Sequence, residues 1–172
     1  TLVYPLAAQS GGFVFDEVSQ EAGIWGGGPS FGPGAWGDWN GDGLPDLWVG
    51  NHANPPYLYV NQGDGSFDIL GLAFIDGKPF SDAHGAAWAD FDGDGDQDLI
   101  ELVGAGAGVA APNQLWWNDS GKLTDIGPSS GLGFPPGRGR TPIWMDWNRD
   151  NRLDLLAVSL YRANVSATMP FV

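Results

Sequence analysis

In this chain of 172 residues, 42% are hydrophobic and 13% aromatic, enough to bury a core, which excludes a disordered acidic tail. The net charge of −14 argues against nucleic acid and anionic membrane surfaces as partners. The lack of cysteine removes disulfides, thiolate metal sites and cysteine nucleophiles, and no apolar run reaches the length of about 18 residues that would span a membrane.

The 28 glycines and 13 prolines point to short strands joined by many turns. Thr1–Ser10 carries no basic n-region and reads equally as the tail of a signal peptide or as a processed start. A strand is predicted over Phe13–Val18, followed by Ala22-Gly23-Ile24. Gly34–Gly37 predicts the next strand; the acidic stretch Asp38–Asp46 and the apolar Leu47–Val49 come directly after it. Tyr57–Asn61 and a strand beginning at Ser66 flank the turn Gln62–Gly65. The plan then repeats as Ala86–Ala89, Asp90–Asp98, Leu99–Leu102, Gln114–Asn118, a turn at Asp119–Gly121, and Lys122–Ile126. Ser130-Gly131-Leu132 echoes Ala22-Gly23-Ile24. A third copy begins with Pro142–Met145, Asp146–Asp154 and Leu155–Val158, after which Ser159–Val172 fits the third-strand template poorly. Trp36, Trp88 and Trp144 each stand two residues ahead of the first aspartate of an acidic stretch.

All three acidic stretches read D-x-[DN]-x-D-[GN]-x-x-D. Calcium takes six to eight oxygen ligands, and oxygens at alternate positions of a tightly wrapped loop suit it. The predicted ligands are the side chains of Asp38, Asn40, Asp42 and Asp46 with the carbonyl of Leu44; Asp90, Asp92, Asp94 and Asp98 with the carbonyl of Asp96; and Asp146, Asn148, Asp150 and Asp154 with the carbonyl of Arg152. Gly43, Gly95 and Asn151 occupy the sixth position, where a left-handed backbone is expected. Eleven of the 21 acidic residues lie in these loops, so up to three calcium ions would account for much of the acidity. The second loop offers four carboxylates at ligand positions. Its neighbours offer three and an asparagine, and the third loop adds Arg149 and Arg152, so affinity should be highest at loop 2 and lowest at loop 3.

The first aspartates recur at intervals of 52 and 56 residues, about the length of a four-stranded propeller blade. The expected fold is therefore all-β: an incomplete propeller of two and a half to three antiparallel blades, with a calcium loop between the first two strands of each. Residues 1–24 would hold the last strand of a preceding blade, 25–76 and 77–132 the blades with loops 1 and 2, and 133–172 a partial blade with loop 3. So few blades cannot close a ring, which implies further blades or a partner protein to complete the sheet edges.

These motifs resemble the FG-GAP and VCBS repeats of integrin-α-type propellers, and among them the proteins that pair such repeats with an ASPIC/UnbV segment. The resemblance rests on Phe15-Asp16-x-Val18, Trp36-Gly37-Asp38 to Asp46, Tyr59-Val60-Asn61-x-Gly63-Asp64-Gly65-Ser66-Phe67, Ala87-Trp88-Ala89-Asp90 to Asp98 and Leu115-Trp116-Trp117-Asn118. It implies calcium in the hairpin of each blade and an extracellular, periplasmic or cell-surface location, and it leaves the activity open, since such repeats serve adhesins, lectin-like binders and some polysaccharide lyases.

Asp90 to Glu101 also fits the EF-hand expression, but Val49 and Ala157 fill the position of Glu101 in the other copies, and the flanks read as strands. Gly104–Gly108 lacks the strand-to-helix context of a phosphate loop and reads as a flexible insertion. His52 and His84 have no patterned nucleophile, so a satisfied loop role is expected for both. Most of the nine tryptophans fall at repeat-equivalent positions and should pack between blades. Trp25 and Trp117, or His52, are the candidates for sugar contact at a surface pocket. The expected function is a calcium-stabilised binding or assembly module without catalytic residues, the alternative a carbohydrate-active propeller, lectin or lyase, with glycan as ligand.

Overall fold

The computed structural model describes residues 15–24, 32–52, 54–77, 82–104, 112–132 and 137–161. Among these the chain is mostly β-structure, arranged as successive antiparallel units that do not close on themselves. The first unit is a four-stranded meander of β1 (Gly34–Gly37), β2 (Asp46–Val49), β3 (Tyr57–Asn61) and β4 (Phe67–Leu70), in spatial order β1-β2-β3-β4. The second repeats this order as β6 (Ala83–Ala89), β7 (Asp98–Val103), β8 (Gln114–Asp119) and β9 (Lys122–Asp125). The third is the hairpin of β10 (Gly137–Met145) and β11 (Asp154–Tyr161). Trp88 pairs with Leu99 where Trp36 pairs with Leu47 and Trp144 with Leu155, so one register runs through all three hairpins.

The turns follow from local chemistry. Ser120 and Gly121 both take positive φ, 52° and 88°, in a two-residue hairpin loop whose twist matches the strands it joins. Leu72–Phe74 forms a 3-10 turn after β4, and Gly127–Ser130 forms the one-turn helix α1 after β9. Between the two four-stranded units, β5 (Ile75–Asp76) lies parallel to β9 and gives the second sheet a fifth strand. An analogous lacing occurs one repeat earlier, where the Phe67 N–H donates to the Ala22 carbonyl at 2.8 Å. These two segments thus each cover the outer edge of the sheet that follows, which protects strand groups that would otherwise stand open.

Packing explains the middle sheet. Every residue of β7 is buried, because its two faces meet two neighbours. Leu99, with Trp116 and Leu123, packs against Trp48 and Leu58 of the first sheet. Ile100 and Leu102, with Leu115, pack toward Trp144, Leu155 and Ala157 of the third. The period-two alternation of a strand therefore serves two cores at once.

The repeated tryptophans stitch the sheets together in one pattern. Trp88 Nε1 donates to the Ala35 carbonyl at 3.2 Å, and Trp144 Nε1 donates to the Ala87 carbonyl at 3.4 Å. In the first sheet the equivalent Trp36 remains 57% exposed. The exposure follows from position: among the described residues no earlier sheet stands in front of it.

The strands over 34–61 and 98–125 match the sequence reading to within a residue, while β6 begins at Ala83, three residues before the predicted Ala86. The third hairpin is longer than predicted, extending back to Gly137 and forward to Tyr161. Phe15–Val18 form no strand; Phe13 and Val14, which would open it, lie outside the described residues, as do Trp25, Gly106–Gly108 and 162–172.

Candidate functional site

Each nine-residue loop is closed by its own carboxylates. In the first, both oxygens of Asp38 face the loop backbone: Oδ1 accepts from the Asp42 N–H at 3.0 Å and Oδ2 from the Gly43 N–H at 2.8 Å. Asp90 does the same with the N–H groups of Asp94 and Gly95 at 3.1 Å each, and Asp146 with those of Asp150 and Asn151 at 3.1 and 3.0 Å. The fifth-position aspartates Asp42, Asp94 and Asp150 accept from the N–H two residues on, that of Leu44, Asp96 or Arg152. Such turns curl the chain around its oxygens.

The sixth position takes the left-handed backbone expected, with φ of 85° at Gly43, 102° at Gly95 and 63° at Asn151. The fourth position does so too, at Gly41, Gly93 and Arg149. The glycines at 41 and 93 were the available signal for this, and Arg149 concealed it.

In loops 1 and 2 the last aspartate ties the loop to the third strand of its sheet. Asp46 Oδ2 accepts from the Trp39 N–H at 3.0 Å, and Oδ1 from the Asn61 N–H of β3 at 2.9 Å. Asp98 is bonded alike to Phe91 and to Asn118 of β8, at 3.2 and 2.8 Å. Asp154 accepts from the Trp147 N–H at 2.9 Å, and among the described residues no third strand pairs with β11 to supply a second donor. Burial raises the pKa of Asp46, opposed by its two N–H donors. Asp98 is pushed up to about 7 by the same burial, again opposed by its donors and assisted by the charges of Asp92 and Asp94.

Oxygens of Asp90, Asp92 and Asp98 converge to within 4.8 Å of one another. This donor set fits a hard divalent cation: it is all oxygen, holds more negative charge than its surroundings balance, and is shaped by a pinned backbone. Asp92 also accepts from Trp117 Nε1 at 2.9 Å, so Trp117 is engaged as a support of the loop. Asp96 Oδ2 accepts from the Ser120 N–H at 2.8 Å, which anchors loop 2 to the adjacent hairpin turn. Loops 1 and 2 are also joined: Gln97 Oε1 accepts from the Asp38 N–H at 2.9 Å, and Asn118 Nδ2 donates to the carbonyls of Trp39 and Gln97 at 2.9 and 2.8 Å.

Strands flank loop 2 on both sides, which removes the EF-hand alternative. Glu101, the twelfth residue of that pattern, points into the junction between sheets and accepts from Trp48 Nε1 at 3.0 Å. It is fully buried, its Oε2 meets no hydrogen-bond partner among the described residues, and burial pushes its pKa up to about 7.

A second cluster lies at the other end of the strands, where β2 ends and β6 begins. His52 Nδ1 lies 2.7 Å from Asp82 Oδ1, His84 Nε2 lies 3.2 Å from the same oxygen, and the two ring nitrogens are 3.2 Å apart. Arg140 Nη1 rests against His84 Nδ1. Desolvation, then the Arg140 charge, lowers the His84 pKa. Sequence reasoning treated the two histidines as separate loop residues. They meet because adjacent sheets bring positions 32 residues apart into contact, and no short motif encodes that.

No curated protein matches the chain. Residues 38–101, spanning loop 1 through β7, match the family model of the FG-GAP-like repeat; the match concerns the repeat and does not extend to an ASPIC/UnbV association. The chain carries a repeat of the FG-GAP type.

Proposed function

We propose that this propeller-type module binds calcium in its acidic loops and serves as a binding or assembly unit in an extracellular, periplasmic or cell-surface setting. The observation that carries the reading is the convergence of Asp90, Asp92 and Asp98 on one point of a loop whose backbone is already fixed. A cation there offsets the cost of burying Asp98 and relieves repulsion among its neighbours. The metals are structural: they brace the turn of each hairpin while the sheets supply surface.

The assembly role is supported by the two apolar ends of the stack. Trp36 and Ile69 stand exposed on the first sheet, and Ile143, Met145, Leu156 and Val158 on the last hairpin. Further blades or a partner protein would cover these faces as the middle sheet is covered.

Thermal unfolding of the chain in millimolar calcium, and again after chelation, tests the reading. Binding to the folded state alone raises stability by about 2.7 kcal/mol when free calcium is 100 times Kd, visible as an increase in Tm of several degrees. An unchanged Tm refutes it. A glycan array read with and without chelator identifies sugar as the ligand if retention is calcium-dependent.

A further inference from the structure

We propose that His52, Asp82 and His84 form a binding site for a divalent transition-metal ion of the zinc class, separate from the acidic loops. Their three donor atoms make a triangle with sides of 2.7, 3.2 and 3.2 Å. Ligand atoms about 2.1 Å from one zinc ion are roughly 3.0 Å apart across an octahedral face and roughly 3.4 Å apart on a tetrahedron. The triangle is thus the size of a single coordination face.

The chemistry agrees with the size. Two imidazole nitrogens and one carboxylate oxygen suit zinc, iron or nickel, whereas calcium prefers oxygen alone. Without a metal, one carboxylate oxygen faces both ring nitrogens, and with N–H groups on both of them the two, 3.2 Å apart, repel each other. A cation uses both nitrogens as lone-pair donors and removes that conflict.

The backbone is shaped to present these groups. His84 is the extra residue of a β-bulge, since Ala83 pairs with Val103 and Gly85 with Leu102. Arg140 occupies the corresponding bulge in β10, between Gly139 and Thr141. Bulges re-aim side chains and are frequent beside functional sites. Gly104 leaves the space for the His84 ring, because a Cβ there would collide with the imidazole. Backbone bonds hold the frame: the Ala83 N–H donates to the Asn51 carbonyl at 3.1 Å, and the Gly104 N–H to the Asp82 carbonyl at 2.7 Å. Side-chain exposure of 42% at His52, 22% at Asp82 and 11% at His84 leaves one side open, so solvent or a substrate oxygen has access to the remaining coordination positions.

Arg140 limits this site. Metal on His84 Nε2 requires a proton on Nδ1, and the Arg140 guanidinium opposes that proton as well as the ion's charge. Replacing Arg140 by glutamine removes the charge and offers an oxygen to accept from Nδ1–H, so it should strengthen binding.

The test is titration of the calcium-saturated full chain with zinc by calorimetry, and with cobalt as a visible-absorbing probe. Expected is one equivalent bound under excess calcium, lost in both His84→Ala and His52→Gln, and about tenfold tighter in Arg140→Gln, the size usual for a group touching a ligand's far nitrogen. His52 is the more exposed ligand, so His52→Gln still decides the matter if His84→Ala does not fold. No zinc bound below millimolar, a stoichiometry unchanged by both histidine variants, or an Arg140→Gln variant that binds more weakly would each overturn the proposal. Calcium plays no part in the three ligands, so failure of this site would leave the acidic loops untouched.

Discussion

The second and third acidic loops share a nine-residue plan and nearly the same internal hydrogen bonds, yet their surroundings differ. Around loop 2, Asp98 is buried and bonded to β8, Asp96 is bonded to Ser120, Asp92 to Trp117, and Gln97 reaches loop 1. Loop 3 is exposed from Asp146 to Leu153, and Asp154 is only half-buried. The comparison separates two sources of order. The internal turns come from nine residues of sequence and are present in both loops. The clamps come from neighbouring strands and, among the described residues, are found at loop 2 and not at loop 3.

The largest expected contrast lies in the packing behind the loops. Trp116→Ala removes a fully buried ring from between the first two sheets and should destabilise by about 3–5 kcal/mol, whereas Leu156→Ala on the exposed face of the last hairpin should cost under about 1 kcal/mol. Urea unfolding of both variants measures the difference. Equal costs would mean that the last hairpin is covered in solution as the middle sheet is.

A second contrast turns on pH. Glu101 has its pKa raised by burial from 4.5 to about 7, so the folded state favours the protonated acid. Its stabilising share is complete below about pH 4.5 and is lost as pH rises through 7, a change on the order of 3 kcal/mol. Glu101→Gln keeps an acceptor for Trp48 without the charge, so it should be more stable than the parent at pH 8 and indistinguishable from it near pH 4.5. A constant difference across that range would show that Glu101 does not change protonation on folding.

The smallest effect belongs to loop 3 itself. Arg149 holds φ of 65°, where Gly41 and Gly93 stand in the other loops, so Arg149→Gly should relieve backbone strain and stabilise by about 1 kcal/mol. It also removes a positive charge beside the proposed cation. Thermal melts with and without calcium separate the two gains, and a destabilised variant would show that the arginine side chain supports the loop.

What was legible in the sequence was what is local and repeated. The acidic spacing located the loops, Gly43, Gly95 and Asn151 located the left-handed positions, and the alternating apolar residues located the inner strands of each sheet. Contacts between sheets were not legible in the same way. Trp117 looked like a candidate sugar platform because it breaks the repeat, and the structure engages it with Asp92. Glu101 looked like a metal ligand in one pattern and is a buried group facing Trp48. The bulge at His84 shifts one residue out of register, which no hydrophobic pattern reveals, and the cluster with His52 and Asp82 depends on it.

Calorimetric titration of calcium into the stripped chain, run in parallel on the parent and on Asp94→Ala and Asp150→Ala, reaches the central claim most directly. The account predicts micromolar-to-millimolar binding whose tightest component disappears in Asp94→Ala and survives in Asp150→Ala. Absence of binding at millimolar calcium, or equal losses in the two variants, would contradict it.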